Sequence, residues 1–153
     1  LLTDAGYQQY ETSAYARPGL QCQHNLNYWR FGDYLGIGCG SHGKLTRADG
    51  EIIRTVKTRH PKGFMRGEYL DKRYSVPDDE KPFEYFMNRF RLSEPCPRDE
   101  FSRFTGLNEQ HIRPALDQAI AAGYLQETLD SWQVTEKGRL FLNSLLEFFL
   151  EQE

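Results

Sequence analysis

The period of the apolar residues changes once along this 153-residue chain, at the acidic, proline-containing stretch SVPDDEKP (75–82). Before it, short β-branched runs alternate with glycine-rich turns. After it, apolar residues recur at helical spacing. A chain patterned in this way has to build two dissimilar units, so the expected class is α+β, with units at 1–74 and 75–153.

In the first unit, YETSAYA (10–16) alternates large and small residues and predicts a strand that ends at the turn Arg17-Pro18-Gly19. YLGIG (34–38) reads as a short buried strand running into GCGSHG. GEIIRTVKT (50–58) is rich in β-branched residues, with Ile52, Arg54, Val56 and Thr58 on one face, and KLTR (44–47) is its hairpin partner around Ala48-Asp49-Gly50. HPKGF (60–64) breaks the pattern.

In the second unit, Phe83, Phe86, Met87 and Phe90 stand at i, i+3, i+4 and i+7, and Pro82 suits a first helical turn. RDEFSRFTG (98–106) predicts a helix stopped by Gly106. NEQHIRPALDQAIAAG follows, with Asn108 as its cap, Ile112, Leu116, Ala119 and Ile120 as its stripe, and Pro114 as a kink or the true start. YLQETLDSWQV (124–134) predicts a hairpin offering Leu125, Leu129, Trp132 and Val134 to a core. Thr135 then caps a final helix, EKGRLFLNSLLEFFL, whose apolar arc is wider than one face needs. Three helices, a two-stranded wing and a packing helix follow one another in winged-helix order.

Charge and cysteine content narrow the partners. The net charge of −3 divides into +3 for residues 1–72 (10 Lys/Arg, 7 Asp/Glu) and −6 for residues 73–153 (9 against 15). A unit at −6, with only His111 and Arg113 beside Glu109 and Asp117 on its third helix, is a poor phosphate binder, so nucleic acid is not expected. Cys22, Cys39 and Cys96 are odd in number and widely spaced, which suits reduced thiols in the cytoplasm. No apolar run approaches the ~20 residues of a membrane span. LLTDAGYQQYETSAYA lacks the basic and apolar regions of a signal peptide, and the missing initiator Met suggests that the chain starts inside a larger protein.

Candidate chemistry gathers in HNLNYWRFGDYLGIGCGSHG (24–43), which holds two histidines, four other aromatics and five glycines. GCGSHG (38–43) spells GxGxxG, but a strand follows it, and no acid lies between Glu51 and Glu68 to meet a ribose, so a dinucleotide site is not expected. Glycines there allow close approach of a ligand or a neighbouring strand. His24, with Asn25, Tyr28 and Trp29 following, offers flat aromatics beside an imidazole. That set suits a flat, partly apolar ligand, with His24 as an axial iron ligand and Cys22 or Cys39 as alternatives.

Taken together, YETSAYARPGLQCQHNLNYWRFGDYLGIGCGSHG with IIRTVKTRHPKGFM resembles the C-terminal part of the radical SAM coproporphyrinogen dehydrogenase family, often called oxygen-independent coproporphyrinogen III oxidase-like. HNLNYW fits the HNxxYW pattern of its haem-chaperone branch, HemW. KPFEYFMNRFRL, IRPALDQAIAAGYL and WQVTEKGRLFLNSLLE are similar to the family's C-terminal domain. The resemblance implies the end of a partial (β/α) radical SAM barrel with a β-rich extension, followed by a winged-helix-like domain. It implies S-adenosylmethionine and a [4Fe-4S] cluster in a longer parent, since the cluster motif CxxxCxxC is absent here. It implies that His24, Asn25, Tyr28 and Trp29 contact haem, with His24 as the candidate iron ligand, and that Gly38, Gly40 and His42 face S-adenosylmethionine or porphyrin. The implied partners are haem or porphyrin, a haem-acceptor protein and, peripherally, a membrane surface. The alternative activity is oxidative decarboxylation of coproporphyrinogen III to protoporphyrinogen IX. No catalytic residue is expected within this chain.

Overall fold

The computed structural model describes residues 1–150; residues 151–153, the end of the expected second unit, lie outside the described residues. The class is α+β.

The stretch expected as one strand at 10–16 is a hairpin. β1 (Gln8–Glu11) turns at Thr12 and Ser13 and returns as β2 (Ala14–Ala16). Glu11 causes the turn, because its buried carboxylate accepts from the Ser13 amide at 2.8 Å and the Ser13 hydroxyl at 2.9 Å. Arg91 Nε donates to the same carboxylate at 2.6 Å and ties the hairpin to the second half.

After α1 (Gln23–Trp29), the expected hairpin forms as β3 (His42–Thr46) and β4 (Ile52–Lys57), paired antiparallel. HPKGF is not only a break, since α2 (Pro61–Met65) starts there with proline in its first turn. β5 (Leu70–Ser75) then adds a third strand, giving the order β3-β4-β5. Every β5 residue is exposed, so no apolar face announced it.

YLGIG is not a strand. Only Tyr34 bridges to Lys44, while Leu35 and Ile37 are 75% and 90% exposed. Gly38, at φ 98°, cannot extend a pleated strand. All strand pairs among the described residues are antiparallel, so the expected barrel strands, which need parallel neighbours, do not pair within them.

The second half is closer to expectation. α3 (Lys81–Arg89) buries Phe86, with Phe90 just past its end, but Met87 is exposed and Tyr85 takes the inner position. β6 (Cys96–Pro97) leads into α4 (Arg98–Thr105), which ends at left-handed Gly106. Asn108 caps a 3₁₀ turn, Glu109–His111, by accepting from the Gln110 amide, and α5 (Arg113–Ala121) begins afresh with Pro114 in its first turn. β7 (Leu125–Glu127) and β8 (Ser131–Val134) form the expected hairpin, and β6 pairs with β8. Leu129 sits at the hairpin tip, 88% exposed, and contributes nothing to the core.

The single final helix is in fact two, α6 (Glu136–Leu140) and α7 (Leu142–Glu147), broken at Phe141 (φ −116°, ψ 42°). The break explains the wide apolar arc. Leu145, Leu146 and Phe149 reach the core, whereas Leu140 and Phe141 are left outside it.

One apolar cluster runs across residues 74 and 75, joining Phe31, Ile52 and Val76 to Tyr85, Phe86, Phe101 and Trp132. Charges reinforce the junction. Arg30 grips Glu94 bidentately at 2.9 and 2.8 Å. The Arg30 hydrogen bonds hold the Glu94 carboxyl below its ordinary pKa, against burial, and Arg89 adds attraction. A depressed folded pKa gives stability that is present above the unfolded value of about 4.3 and lost as pH falls through the folded one. Between pH 7 and pH 3, Glu94→Gln is therefore expected to lose less of its urea midpoint than the unaltered protein. Equal losses would show that Glu94 contributes nothing to the pH dependence.

Candidate functional site

A helix of seven residues is marginal alone, so α1 depends on how its ends are held. Its C-terminus closes with the Gly32 amide donating to the Asn27 carbonyl at 2.7 Å and the Phe31 amide to Tyr28 at 3.0 Å, a Schellman arrangement. Phe31 stands at the left-handed position (φ 63°), usually glycine's, at a cost of about 1–2 kcal/mol. Burial offsets that cost, because the Phe31 ring is 1% exposed and packs edge-on to Tyr85 at 5.3 Å.

Lys44 completes the closure. Its buried ammonium lies 3.9 Å from the centre of the Phe31 ring and donates to the Phe31 carbonyl at 2.8 Å, to Thr46 at 2.9 Å and to Asp33 at 3.1 Å. Burial pulls the Lys44 pKa down, with Asp33 opposing it. Burial also works against the Asp33 carboxylate, but the Thr46 amide and hydroxyl and Lys44 outweigh it and hold that carboxyl below its ordinary value.

On this anchored helix, His24 and Tyr28 are one turn apart, and their rings meet edge to face at 4.8 Å. The Tyr28 ring continues onto Tyr34 at 4.2 Å. Arg54 Nη1 donates to the Tyr34 hydroxyl at 2.9 Å, and the same guanidinium is ion-paired with Glu84 of α3. Trp29 turns elsewhere and packs against Tyr10 of β1 at 6.0 Å. Asn25 is exposed, and Asn27 makes the structural bond instead, to the Asp33 carbonyl at 2.9 Å. Of the four candidates on α1, His24 and Tyr28 are in contact with each other. His24 is exposed, and its imidazole has no hydrogen-bond partner among the described residues.

His42 is exposed in β3, two residues from Lys44, and by strand alternation lies on the same sheet face as Tyr34 and Arg54. Gly38 and Gly40 sit in the loop before it, with open space beside Gly38. The glycines that permit close approach are their neighbours. A Cβ at Gly36 would meet the His42 carbonyl at 2.5 Å, and one at Gly43 would meet Thr55 Oγ1 at 2.6 Å. Cys39, an alternative ligand, is engaged by the Thr58 and Arg59 carbonyls, while Cys22 is exposed just ahead of α1. All three thiols are free, and Cys96 is buried, which raises its pKa to about 11.

Sequence reasoning missed Tyr34, Lys44, Arg54 and Glu84. A partial signal existed, because Lys44 and Arg54 fall opposite each other when the hairpin is registered. An exposed imidazole with no hydrogen-bond partner among the described residues fits an iron ligand for a bound haem. The described residues contain no group of three or more His, Cys, Asp or Glu that could hold a metal ion, so they do not fit an iron–sulfur cluster.

Residues 76–141 match the HemN C-terminal domain. The chain is 69% identical over 152 residues to the heme chaperone HemW of Escherichia coli and 62% identical over 153 residues to that of Haemophilus influenzae, covering 99% and 100% of this chain. It spans 40% of the length of each. It is 54% identical over 69 residues to a mitochondrial radical S-adenosyl methionine domain-containing protein 1 of Mus musculus, matching 43% of this chain and 16% of that protein. The solved coproporphyrinogen III oxidase HemN of Escherichia coli, a radical SAM enzyme, superposes with a TM-score of 0.65 at 16% identity, over 97% of this chain and 38% of that one. At that identity the likeness is one of fold. The chain belongs to the HemN/HemW family and corresponds to its C-terminal region.

Proposed function

We propose that this chain is the haem-handling C-terminal region of a radical SAM haem chaperone, which binds haem and passes it to an acceptor protein. The observation that carries the reading is the exposed, unpartnered His24 imidazole, held edge-on to Tyr28 at 4.8 Å on a helix whose orientation is fixed from both halves of the chain. In this reading His24 ligates haem iron, Tyr28 and the exposed Asn25 flank the ligand, and Trp29, packed against Tyr10, helps hold the helix. Gly38, Gly40 and His42 form the wall toward S-adenosylmethionine or porphyrin. The [4Fe-4S] cluster and S-adenosylmethionine belong to the remainder of the parent. Similarity to heme chaperones over the whole chain favours this function over coproporphyrinogen III oxidation.

The same reading divides the chain into a barrel end with its β extension (1–74) and a winged-helix-like domain (75–153). The order α3, β6, α4, α5, β7, β8 supports the second. That domain serves as a lid or docking unit and not as a nucleic-acid reader. Arg113 of α5 is already occupied by Glu109, Asp117 and Glu127. The setting is cytoplasmic with peripheral membrane contact. No helix among the described residues is long and apolar enough to cross a membrane.

Haem titrated into the full-length protein is expected to bind with a defined Soret band. His24→Ala is expected to weaken binding by roughly ten- to a hundredfold, the range for disturbing a metal ligand's supports or more. Equal affinity and an identical spectrum would remove His24 from the site.

A further inference from the structure

Beyond the HNLNYW residues, we propose that Tyr34, braced by Arg54, is a positioning residue that sets how His24 is presented to its ligand. The proposal rests on the haem reading for its function but not for its geometry.

The contacts form a continuous series. His24 meets Tyr28 at 4.8 Å and 83°, and Tyr28 meets Tyr34 at 4.2 Å and 54°. Tyr28 is half-buried and has no hydrogen bond to fix its ring among the described residues, so Tyr34 is the surface that orients it. Tyr34 is itself held at two places. Its backbone exchanges hydrogen bonds with Lys44 at 2.9 Å in both directions, and its hydroxyl accepts from Arg54. Arg54 cannot swing away, because Glu84 of α3 binds it through both Nε and Nη2. The orientation of an exposed imidazole is thereby referred to the rigid α3 framework, although α1 alone is a marginal helix. Supporting residues of this kind narrow the rotamers of a ligand and usually change affinity by ten- to a hundredfold when lost.

The test uses the full-length protein with Tyr34→Leu and Tyr34→Phe, each labelled at histidine for NMR. Tyr34→Leu is expected to shift the His24 ring resonances, as Tyr28 leaves its edge-on position, while His60 and His111 stay put. Tyr34→Phe, which keeps the ring and loses the Arg54 bond, is expected to give a smaller shift in the same direction. An unchanged His24 ring environment in both variants overturns the proposal. If Tyr34→Leu fails to fold, the shift or its absence in Tyr34→Phe decides alone.

Haem titration separates this from the haem reading. Tyr34→Leu is expected to bind roughly tenfold more weakly and to show mixed axial ligation. A shifted His24 with no effect of His24→Ala on haem would sustain the positioning role and defeat the haem reading.

Discussion

Phe86→Ala is expected to lower the unfolding free energy by about 3–5 kcal/mol, measured as a fall in urea midpoint at constant slope. Phe86 is fully buried at the centre of the aromatic cluster. Its ring is parallel to Phe101 (5.6 Å, 5°), close to Phe149 at 4.3 Å and Phe90 at 4.4 Å, and edge-on to Trp132 at 5.8 Å. These neighbours come from the end of α3 at Phe90, from α4, from β8 and from the segment after α7, so truncation opens a cavity bounded by rigid rings that cannot close independently. Flat aromatic neighbours keep the cost near the top of the range. Met87→Ala, one residue on and 40% exposed, is expected to cost less than about 1 kcal/mol. Similar costs for the two would show that α3 is rotated from the orientation described.

Gly106→Ala is expected to cost about 2–4 kcal/mol by the same measurement, from two sources. Gly106 has φ 73°, and Gly50, in the β3–β4 turn, has φ 84°. Left-handed backbone alone costs a side chain about 1–2 kcal/mol. In addition, a Cβ on Gly106 would lie 2.9 Å from the Gly50 Cα and 3.1 Å from the Asp49 carbonyl, where only backbone could yield. The hairpin turn and the end of α4 would have to separate. Gly123→Ala separates the two sources. Gly123 has φ 77° just past α5, but its added methyl meets only the end of the Lys137 side chain, at 4.0 Å. It is expected to show the left-handed cost alone, and equal losses at 106 and 123 would deny the close contact between the two halves.

Both predictions concern places where the sequence was partly legible. The stripe through Phe83, Phe86, Met87 and Phe90 announced α3 because its period is helical, although Met87 faces out and Tyr85 in. The hairpin within 124–134 and the stop at Gly106 were legible for the same local reasons. What could not be read depends on partners distant in sequence. β5 is held by pairing with β4 rather than by an apolar face. The Glu11 turn is stabilised in part by Arg91, eighty residues away. Helix α1 buries only Leu26, so no period marked it.

At the candidate site, the residue types of HNLNYW drew attention to the segment proposed above as the haem contact. Its geometry did not follow from them, because Trp29 turns to Tyr10, and the groups behind Tyr28 are Tyr34, bridged to β3 from its loop, and Arg54 and Lys44 of the sheet. Buried Lys44 and half-buried Arg54 were the least visible feature, since lysine and arginine in a hairpin ordinarily read as solvated.

Axial ligation of ferric haem bound to the full-length protein tests the account most directly. Electron paramagnetic resonance and the Soret band would be recorded for the unaltered protein, for His24→Ala, and for His24→Ala with added imidazole. The expected result is a single histidine-ligated species, lost on substitution and restored by imidazole. An unchanged ligation spectrum in His24→Ala would contradict it.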